Sequence, residues 1–253
     1  MMKKETTQKP FVSIITATYN TEHSLGKTIE SIRRQNFKDF EWIVVDGGSE
    51  DLTLEIIKRN GDVIANWISE PDGGIYDAWN KGLDLARGEW IAFLGAGDCY
   101  FPDALSCYYD EIQSGGPEIE FISSKIQLVN YNEAVLREIG KKFDFLKHKK
   151  FMGIAHVGAF HKNTLFAKFG KFDIGYKSAG DYEYFMRCGS SLRSAFLDKI
   201  TVTMSIGGVS NGFHAIGEAY KIQKRYGLSA PIAISRACLA LLKRLLRLYI
   251  RGY

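Results

Sequence analysis

Residues 87–102, Arg-Gly-Glu-Trp-Ile-Ala-Phe-Leu-Gly-Ala-Gly-Asp-Cys-Tyr-Phe-Pro, constrain the fold more than any other stretch of the chain. Trp90 to Leu94 is an unbroken apolar run, short and bounded by glycines, which reads as a strand buried on both faces. It stops at Gly95-Ala96-Gly97, residues too small to cover anything, and then at a single carboxylate, Asp98. A carboxylate just past the C-terminal end of a central parallel strand stands where open α/β sheets bind their ligands. Taken alone, Asp98 reads equally well as a turn residue, because Gly and Asp favour turns.

The preceding segments supply the sheet that such a strand needs. Residues 11–17 are β-branched and apolar, a first strand that runs into polar Thr18-Tyr19-Asn20. Residues 24–35 carry Leu25, Ile29 and Ile32 at helical spacing. Residues 40–45 make a second strand followed at once by Asp46-Gly47-Gly48-Ser49, and residues 51–58 a second helix with Leu54 and Ile57 inward. Residues 63–69 make a third strand that ends in Glu70-Pro71-Asp72-Gly73-Gly74. In the third helix Ile75, Ala78, Trp79, Gly82, Leu83 and Ala86 fall on one stripe, which reads as core packing. This alternation is the pattern of an α/β fold: a doubly wound, mostly parallel sheet with helices on both faces and its polar loops gathered at one edge.

Beyond residue 102 the pattern loosens. It predicts one or two strands within 119–129, a mobile basic loop over 143–152 (with Lys147, His148, Lys149 and Lys150) and a short strand at 157–161. A helix capped by Asn163 follows, then a helix over 181–188, strands near 194–197 and 201–206, a flexible loop at 207–212 and a helix over 218–226.

With 253 residues and 45% hydrophobic content, the chain can bury a full core as one large domain, here expected over 11–228. That domain divides into a ligand half (11–100) and a second half (101–228), after a disordered 1–10 and before a basic helix at 229–253. A net charge of +4 is too small to make nucleic acid the main partner. Cys99, Cys107, Cys188 and Cys238 show no paired spacing, which fits a reducing compartment rather than a disulfide framework or a zinc site. No signal peptide and no membrane span is legible, so a cytoplasmic protein is expected.

A dinucleotide site needs Gly-x-Gly-x-x-Gly after the first strand, where this chain has Thr18-Tyr19-Asn20. A P-loop is absent as well, since no Gly-Lys-Ser/Thr occurs. What remains are carboxylates after the second and fourth strands. Asp46 can accept hydrogen bonds from a base or ribose, and Asp98 can hold a divalent cation through a hard oxygen ligand. Such a cation would offset negative charge on a diphosphate leaving group.

The motifs that carry a family resemblance are Val12 to Asn20 (Val-Ser-Ile-Ile-Thr-Ala-Thr-Tyr-Asn), Val44-Val45-Asp46-Gly47-Gly48-Ser49 with Asp51, and Glu70 to Gly82 (Glu-Pro-Asp-Gly-Gly-Ile-Tyr-Asp-Ala-Trp-Asn-Lys-Gly). The Gly95 to Asp98 turn and Ala179 to Arg187 complete the set. In this order and spacing the chain, from Phe11 to about Asn211, resembles the family 2 glycosyltransferases, inverting enzymes of the GT-A fold that build bacterial cell-surface polysaccharide or glycolipid. The resemblance implies a hexosyltransferase-type enzyme that moves a sugar from a nucleoside-diphosphate donor, UDP-linked, to a carbohydrate or lipid-linked acceptor. It implies that Thr16, Ala17 and Thr18 line the nucleotide pocket, that Asp46 contacts the base, and that Gly97 and Asp98 lie at the donor. Asp98 matches the metal-touching aspartate of the family's Asp-x-Asp, so Mn²⁺ or Mg²⁺ is the implied cofactor. The first aspartate of that motif is Ala96 here, which implies weak metal binding or, in the alternative reading, a non-catalytic nucleotide-sugar-binding module.

Asp77 and Lys81 fall near the donor in the resemblance, although an acid four residues before a base is also an ordinary helix-surface pair. Asp181 takes the family's general-base position, and it also reads as the N-cap of its helix. The residue before the base is often acidic in the family and is Gly180 here. Glu183 is the runner-up base, expected to face solvent; His156 and His161 are read as structural. In residues 231–253, Arg236, Lys243, Arg244, Arg247 and Arg251 share about one third of a helical wheel, with leucines over the rest. Such a helix packs on its own domain with a solvated basic face, or lies on anionic lipid; a lipid-linked acceptor favours the second reading.

Overall fold

The computed structural model describes residues 9–206 and 213–251. The first half follows the expected alternation: β1 (Val12–Thr18), α1 (Leu25–Arg33), β2 (Phe40–Asp46), α2 (Thr53–Arg59), β3 (Asn66–Ser69), α3 (Ile75–Leu85) and β4 (Trp90–Phe93). β1, β2 and β4 are mostly buried strands, β3 is a short and more exposed edge strand, and the helices turn apolar stripes onto the sheet. Leu25, Ile29 and Ile32 of α1 and Ile57 of α2 sit against Val12, Ile14, Trp42, Val44 and Trp90 in one core layer. The α3 side of the sheet forms a second layer around Ile15, Ile91 and Phe93. Trp79 lies in that layer, 4.6 Å from the Phe93 ring centroid, so its stripe is packing as read from the sequence. All four strands are parallel, in the order β3-β2-β1-β4, so the ends of all four open onto one edge.

The second half comprises β5 (Cys99–Tyr100), α4 (Ala104–Gly115), β6 (Phe121–Val129), β7 (Val135–Ile139), α5 (Phe145–His148), β8 (Ala159–Lys162), α6 (Thr164–Phe169), α7 (Gly180–Cys188), β9 (Ser194–Ser205), α8 (Phe213–Arg225) and α9 (Ala230–Arg251). Here the sheet changes character. β8 joins β4 antiparallel and β6 joins β8 antiparallel, while β9 runs parallel to β6 and ends against the short β5. The sheet is thus parallel where the strand–helix alternation is regular and mixed beyond β4.

Three local expectations change. The strands expected near 194–197 and 201–206 are one strand, β9, whose pairing with β6 shifts register around Lys125. The basic stretch expected as a loop over 143–152 contains the helical turn α5, and His148 is buried against Phe143, Tyr182 and Phe185. Asn163 stands at the start of α6 without capping it; its amide nitrogen donates to the Gly88 carbonyl at 2.9 Å, tying α6 to the sheet edge. The flexible loop expected at 207–212 lies outside the described residues, as does most of the N-terminal segment expected to be disordered.

Helix α9 packs on α8. Its described part is arranged differently from the expected solvated basic face. Arg236 and Arg244 are half-buried and Ala233 is fully buried, whereas Ile232, Ile234, Leu239, Leu241 and Leu242 are exposed. Among the described side chains of this helix, the two cations turn partly inward and most of the large apolar ones turn out. The side chains of Lys243, Arg247 and Arg251 lie outside the described residues. No helix among the described residues is long and apolar enough to cross a membrane.

Candidate active site

The loops after β1, β2 and β3 are held by an internal polar network centred on Asp46. Its Oδ1 accepts from the Thr18 hydroxyl at 3.0 Å and from the Ser49 hydroxyl at 2.5 Å; its Oδ2 accepts from the Ser49 amide at 3.0 Å and the Ser69 hydroxyl at 2.7 Å. Burial works to raise this carboxyl's pKa, but its four donors outweigh that and hold it below the usual range. Asp46 is fully buried and its oxygens are saturated, so it ties three loops together from within. Thr16 is likewise fully buried, its hydroxyl accepting from the Trp42 indole at 2.9 Å, and Thr18 is buried beside Asp46. The parts of this edge that reach solvent are Ala17, Tyr19, Asn20 and Ser49. Asn20 adopts a left-handed backbone (φ 50°), with its amide on the Ser49 hydroxyl and its side-chain oxygen on the Glu50 amide.

The loop before α3 is pinned by the next two expected residues. Asp77 accepts from the Gly73 amide at 2.9 Å. Lys81 reaches Glu70 at 2.8 Å and the Pro71 carbonyl at 3.0 Å, closer than its 3.8 Å approach to Asp77. Lys81 is thus less a helix-surface pair than a brace that holds residues 70–74 over the end of β3.

After β4 the chain makes the Gly95–Asp98 turn. Gly97 has φ +102°, a backbone conformation that a side chain would strain, and its amide donates to the Thr28 hydroxyl at 2.8 Å. The Asp98 carboxylate accepts from the Ser205 amide at 3.1 Å. Burial, only partly offset by that amide, pushes its pKa up to about 7. Among the described residues no lysine or arginine forms an ion pair with it, and no cluster of three or more metal-ligating side chains exists.

Asp181 lies at the second position of α7 rather than at its cap, which is Ala179. Its Oδ1 accepts from the Tyr182 amide at 2.9 Å and from the Tyr76 hydroxyl at 3.1 Å. Burial raises its pKa to about 6; the Tyr182 and Tyr76 donors work against the rise and the Glu218 charge adds to it. Glu218, on α8, accepts from the amides of Lys177, Ser178 and Ala179 at 2.8–2.9 Å and so clamps the chain just before α7. Tyr76 starts α3, on the same edge as the Gly95–Asp98 turn, so α3 brings Asp181 to the side of the sheet where Asp98 stands.

The other acid–base candidates are interior. Glu183 is buried rather than solvent-facing, bound by Arg187 at 2.9 Å and by the Tyr226 hydroxyl at 2.6 Å. His156 and His161 are buried in an aromatic cluster with Nε2 atoms 3.1 Å apart, and burial lowers the His156 pKa to about 3 and that of His161 well below its ordinary value. Both are neutral at physiological pH, so the pair is held together by one N–H donating to one ring nitrogen.

A family model described as "Glycosyl transferase family 2" matches residues 13–169, more than half of the chain and all but the first residue of the four parallel strands. The chain belongs to glycosyl transferase family 2. It is 32% identical over 213 residues, 80% of each chain, to a "PGL/p-HBAD biosynthesis glycosyltransferase" of Mycobacterium bovis. It is 30% identical over 190 residues, 71% of this chain and 65% of the relative, to a glycosyltransferase of Methanocaldococcus jannaschii. Among solved structures, S. aureus TarS 1–349 in complex with UDP-GlcNAc superposes with a TM-score of 0.68 at 19% identity, covering 94% of this chain and 73% of that one. A mannosyltransferase from Pyrobaculum calidifontis, in complex with GDP-Man and Mn²⁺, gives 0.65 at 18% identity, covering 95% and 76%. Against the longer TarS chain, this one spans 44% of the length. These likenesses show the GT-A arrangement of the sheet.

In this family 2 glycosyltransferase Ala17, Asp77, Lys81, Gly97 and Asp98 stand on the side where the parallel strands end, Asp181 is tied to that side through Tyr76, and Thr16, Thr18 and Asp46 are buried behind it. Sequence reasoning missed Tyr76, Glu218 and Ser205. Tyr76 was visible within the Glu70–Gly82 motif but off the apolar stripe; the other two lie in segments with no motif. Their partners are tens of residues away, which no local pattern reports.

Proposed function

We propose that the chain is an inverting glycosyltransferase that moves a sugar from a UDP-linked donor to an acceptor hydroxyl in cell-surface polysaccharide or glycolipid synthesis. The observation that carries the reading is Asp181: a carboxyl at a helix start whose pKa of about 6 leaves it ionised at neutral pH yet basic enough to take a proton. In the transfer, the acceptor oxygen bonds to the anomeric carbon as its proton passes to Asp181. The bond from that carbon to the donor diphosphate breaks, and its electron pair leaves with the nucleoside diphosphate. The uridine assignment draws on UDP and UDP-GlcNAc, the ligands in the TarS complexes.

Asp98 fits a divalent cation in one respect: it is a desolvated carboxylate without a cationic partner among the described residues, the state that a bound cation relieves. With Ala96 beside it, it would be the one protein carboxylate on Mn²⁺ or Mg²⁺, and the donor's diphosphate would supply further oxygens. When bound, the cation offsets charge on the departing diphosphate. Helix α9 is read as an interfacial helix: its exposed apolar side faces away from the domain, and its 22 residues carry five cations and no acid, the complement of an anionic lipid surface.

The test is a panel of nucleotide sugars read first by thermal stabilisation and then by nucleoside diphosphate release with a lipid-linked acceptor. A donor at 100 times its Kd adds about 2.7 kcal/mol to stability. Stabilisation by GDP-linked sugars alone would overturn the uridine assignment, and donor binding without release under any acceptor would overturn the transfer.

A further inference from the structure

We propose that Tyr76 is the positioning residue for the base, fixing which oxygen of Asp181 receives the acceptor proton. The inference rests on the reading of Asp181 as that base. Both donors that reach the carboxylate, the Tyr76 hydroxyl at 3.1 Å and the Tyr182 amide at 2.9 Å, engage the same atom, Oδ1. Oδ2 receives no hydrogen bond from another residue among the described ones, so its lone pairs are the ones left for a proton.

Three further observations make this contact a built one. Tyr76 is 3% exposed, its ring packed edge-on against Trp79 at 5.3 Å and tilted against Phe172 at 5.7 Å, so the hydroxyl has little freedom. Burial and the neighbouring carboxylate push its pKa far above the ordinary phenol range, which keeps it a donor at every working pH. The third is Gly180. A Cβ there would lie 2.8 Å from Cε2 of Tyr76 and 2.9 Å from two more ring atoms, so a side chain at this position would push the ring off the helix start. The place that resembles an acidic position in the family therefore holds a glycine because the tyrosine ring occupies its space. An acid before the base would add a like charge; here a neutral donor takes its room.

The groups around Asp181 are few. α3 contributes Tyr76, α7 contributes the Tyr182 amide, and α8 contributes Glu218, whose charge opposes ionisation. The Tyr182 hydroxyl is turned away onto the Lys149 carbonyl, and Glu183 is neutralised by Arg187. Among the described residues Tyr76 is thus the one side chain placed to favour the charged base.

The experiment compares wild type, Tyr76→Phe, Asp181→Asn and the double variant in full-length protein, measuring kcat, donor KM and the pH dependence of kcat. Tyr76→Phe keeps the ring and removes only the hydroxyl. Expected are a fall in kcat of about tenfold with donor KM held within about twofold, since the lost bond is one to a charged group. The acid limb of the profile should move up by about one pH unit, because the lost donor had favoured the carboxylate form. Adding Tyr76→Phe to Asp181→Asn should cost nothing further. An unchanged limb and kcat in Tyr76→Phe, with Asp181→Asn inactive, overturns the role of Tyr76 and leaves the base in place. Full turnover in Asp181→Asn overturns the base itself, and the inference falls with it.

Discussion

The amide of Ser205, at the end of β9, donates to Oδ1 of Asp98 at 3.1 Å, which ties the longest strand of the second half to the turn after β4. The Asp98 carboxylate is therefore held by a strand far along the chain as well as by its own turn. With its pKa raised to about 7, its contribution to stability is fully present below the unfolded value and is lost as pH rises through about 7. Without divalent cation, Asp98→Asn should thus raise Tm at pH 8, by about 2–4 °C per kcal/mol relieved, and the gain should vanish near pH 4. Mn²⁺ should stabilise wild type at pH 8 and leave the variant unchanged, and Asp98→Asn should abolish donor use. Full activity in excess chelator would sink the metal role.

Asp181→Asn should cut turnover by about 10²–10⁴ with donor affinity nearly intact. Folding should suffer little, because the asparagine oxygen still accepts from Tyr182 and Tyr76. In wild type, kcat should fall on the acid side with a midpoint near the raised pKa of about 6. Single-turnover rates across pH 5–8 decide this, and a variant that keeps its turnover returns Asp181 to a local structural role.

Asp46→Ala leaves the Thr18, Ser49 and Ser69 hydroxyls and the Ser49 amide without their acceptor. A loss of about 2–4 kcal/mol is expected in urea unfolding at pH 7. Because the folded pKa is lowered, wild-type stabilisation by Asp46 is present above the unfolded value and fades as pH falls through the folded one. The deficit of the variant should therefore shrink below about pH 4. A deficit that is small at pH 7 would mean that the loops are held by other contacts.

Truncation after Leu228 should remove lipid binding while nucleotide-sugar binding survives. The described part of α9 exposes Ile232, Ile234, Leu239, Leu241 and Leu242 and half-buries Arg236 and Arg244, so most of the affinity for anionic vesicles should persist at high salt. Liposome co-sedimentation of both lengths at low and high salt measures it. Equal pelleting of the two would mean that the helix covers another protein surface or none.

What the sequence revealed tracks how local the determining physics is. β1 to β4 and their helices were readable because each is a periodic apolar pattern closed by its own polar loop. The mixed half was less so: β9 spans a register shift at Lys125, and its polar centre, Asp198-Lys199, looks like a break between two strands. The site divides the same way. Asp98 and Asp181 stand out by motif, whereas the inward role of Asp46 depends on Ser69 and Thr18 arriving from two other strands. Glu183 looked solvent-facing because its partner Tyr226 lies 43 residues further on.

The Glu218 clamp also bears on how such a chain can change. The family match ends at residue 169, before Asp181 and before the helix that carries Glu218. The proposed donor edge and the proposed proton acceptor are thus written in separate lengths of sequence, joined by the hydrogen bond from Tyr76 to Asp181, while Glu218 holds the later length together through three backbone amides. Substitutions in the later length can retune or silence transfer while the donor edge stays assembled. A relative that has lost Glu218 and Asp181 together would be expected to persist as a sugar-nucleotide holder, with its first half unaltered.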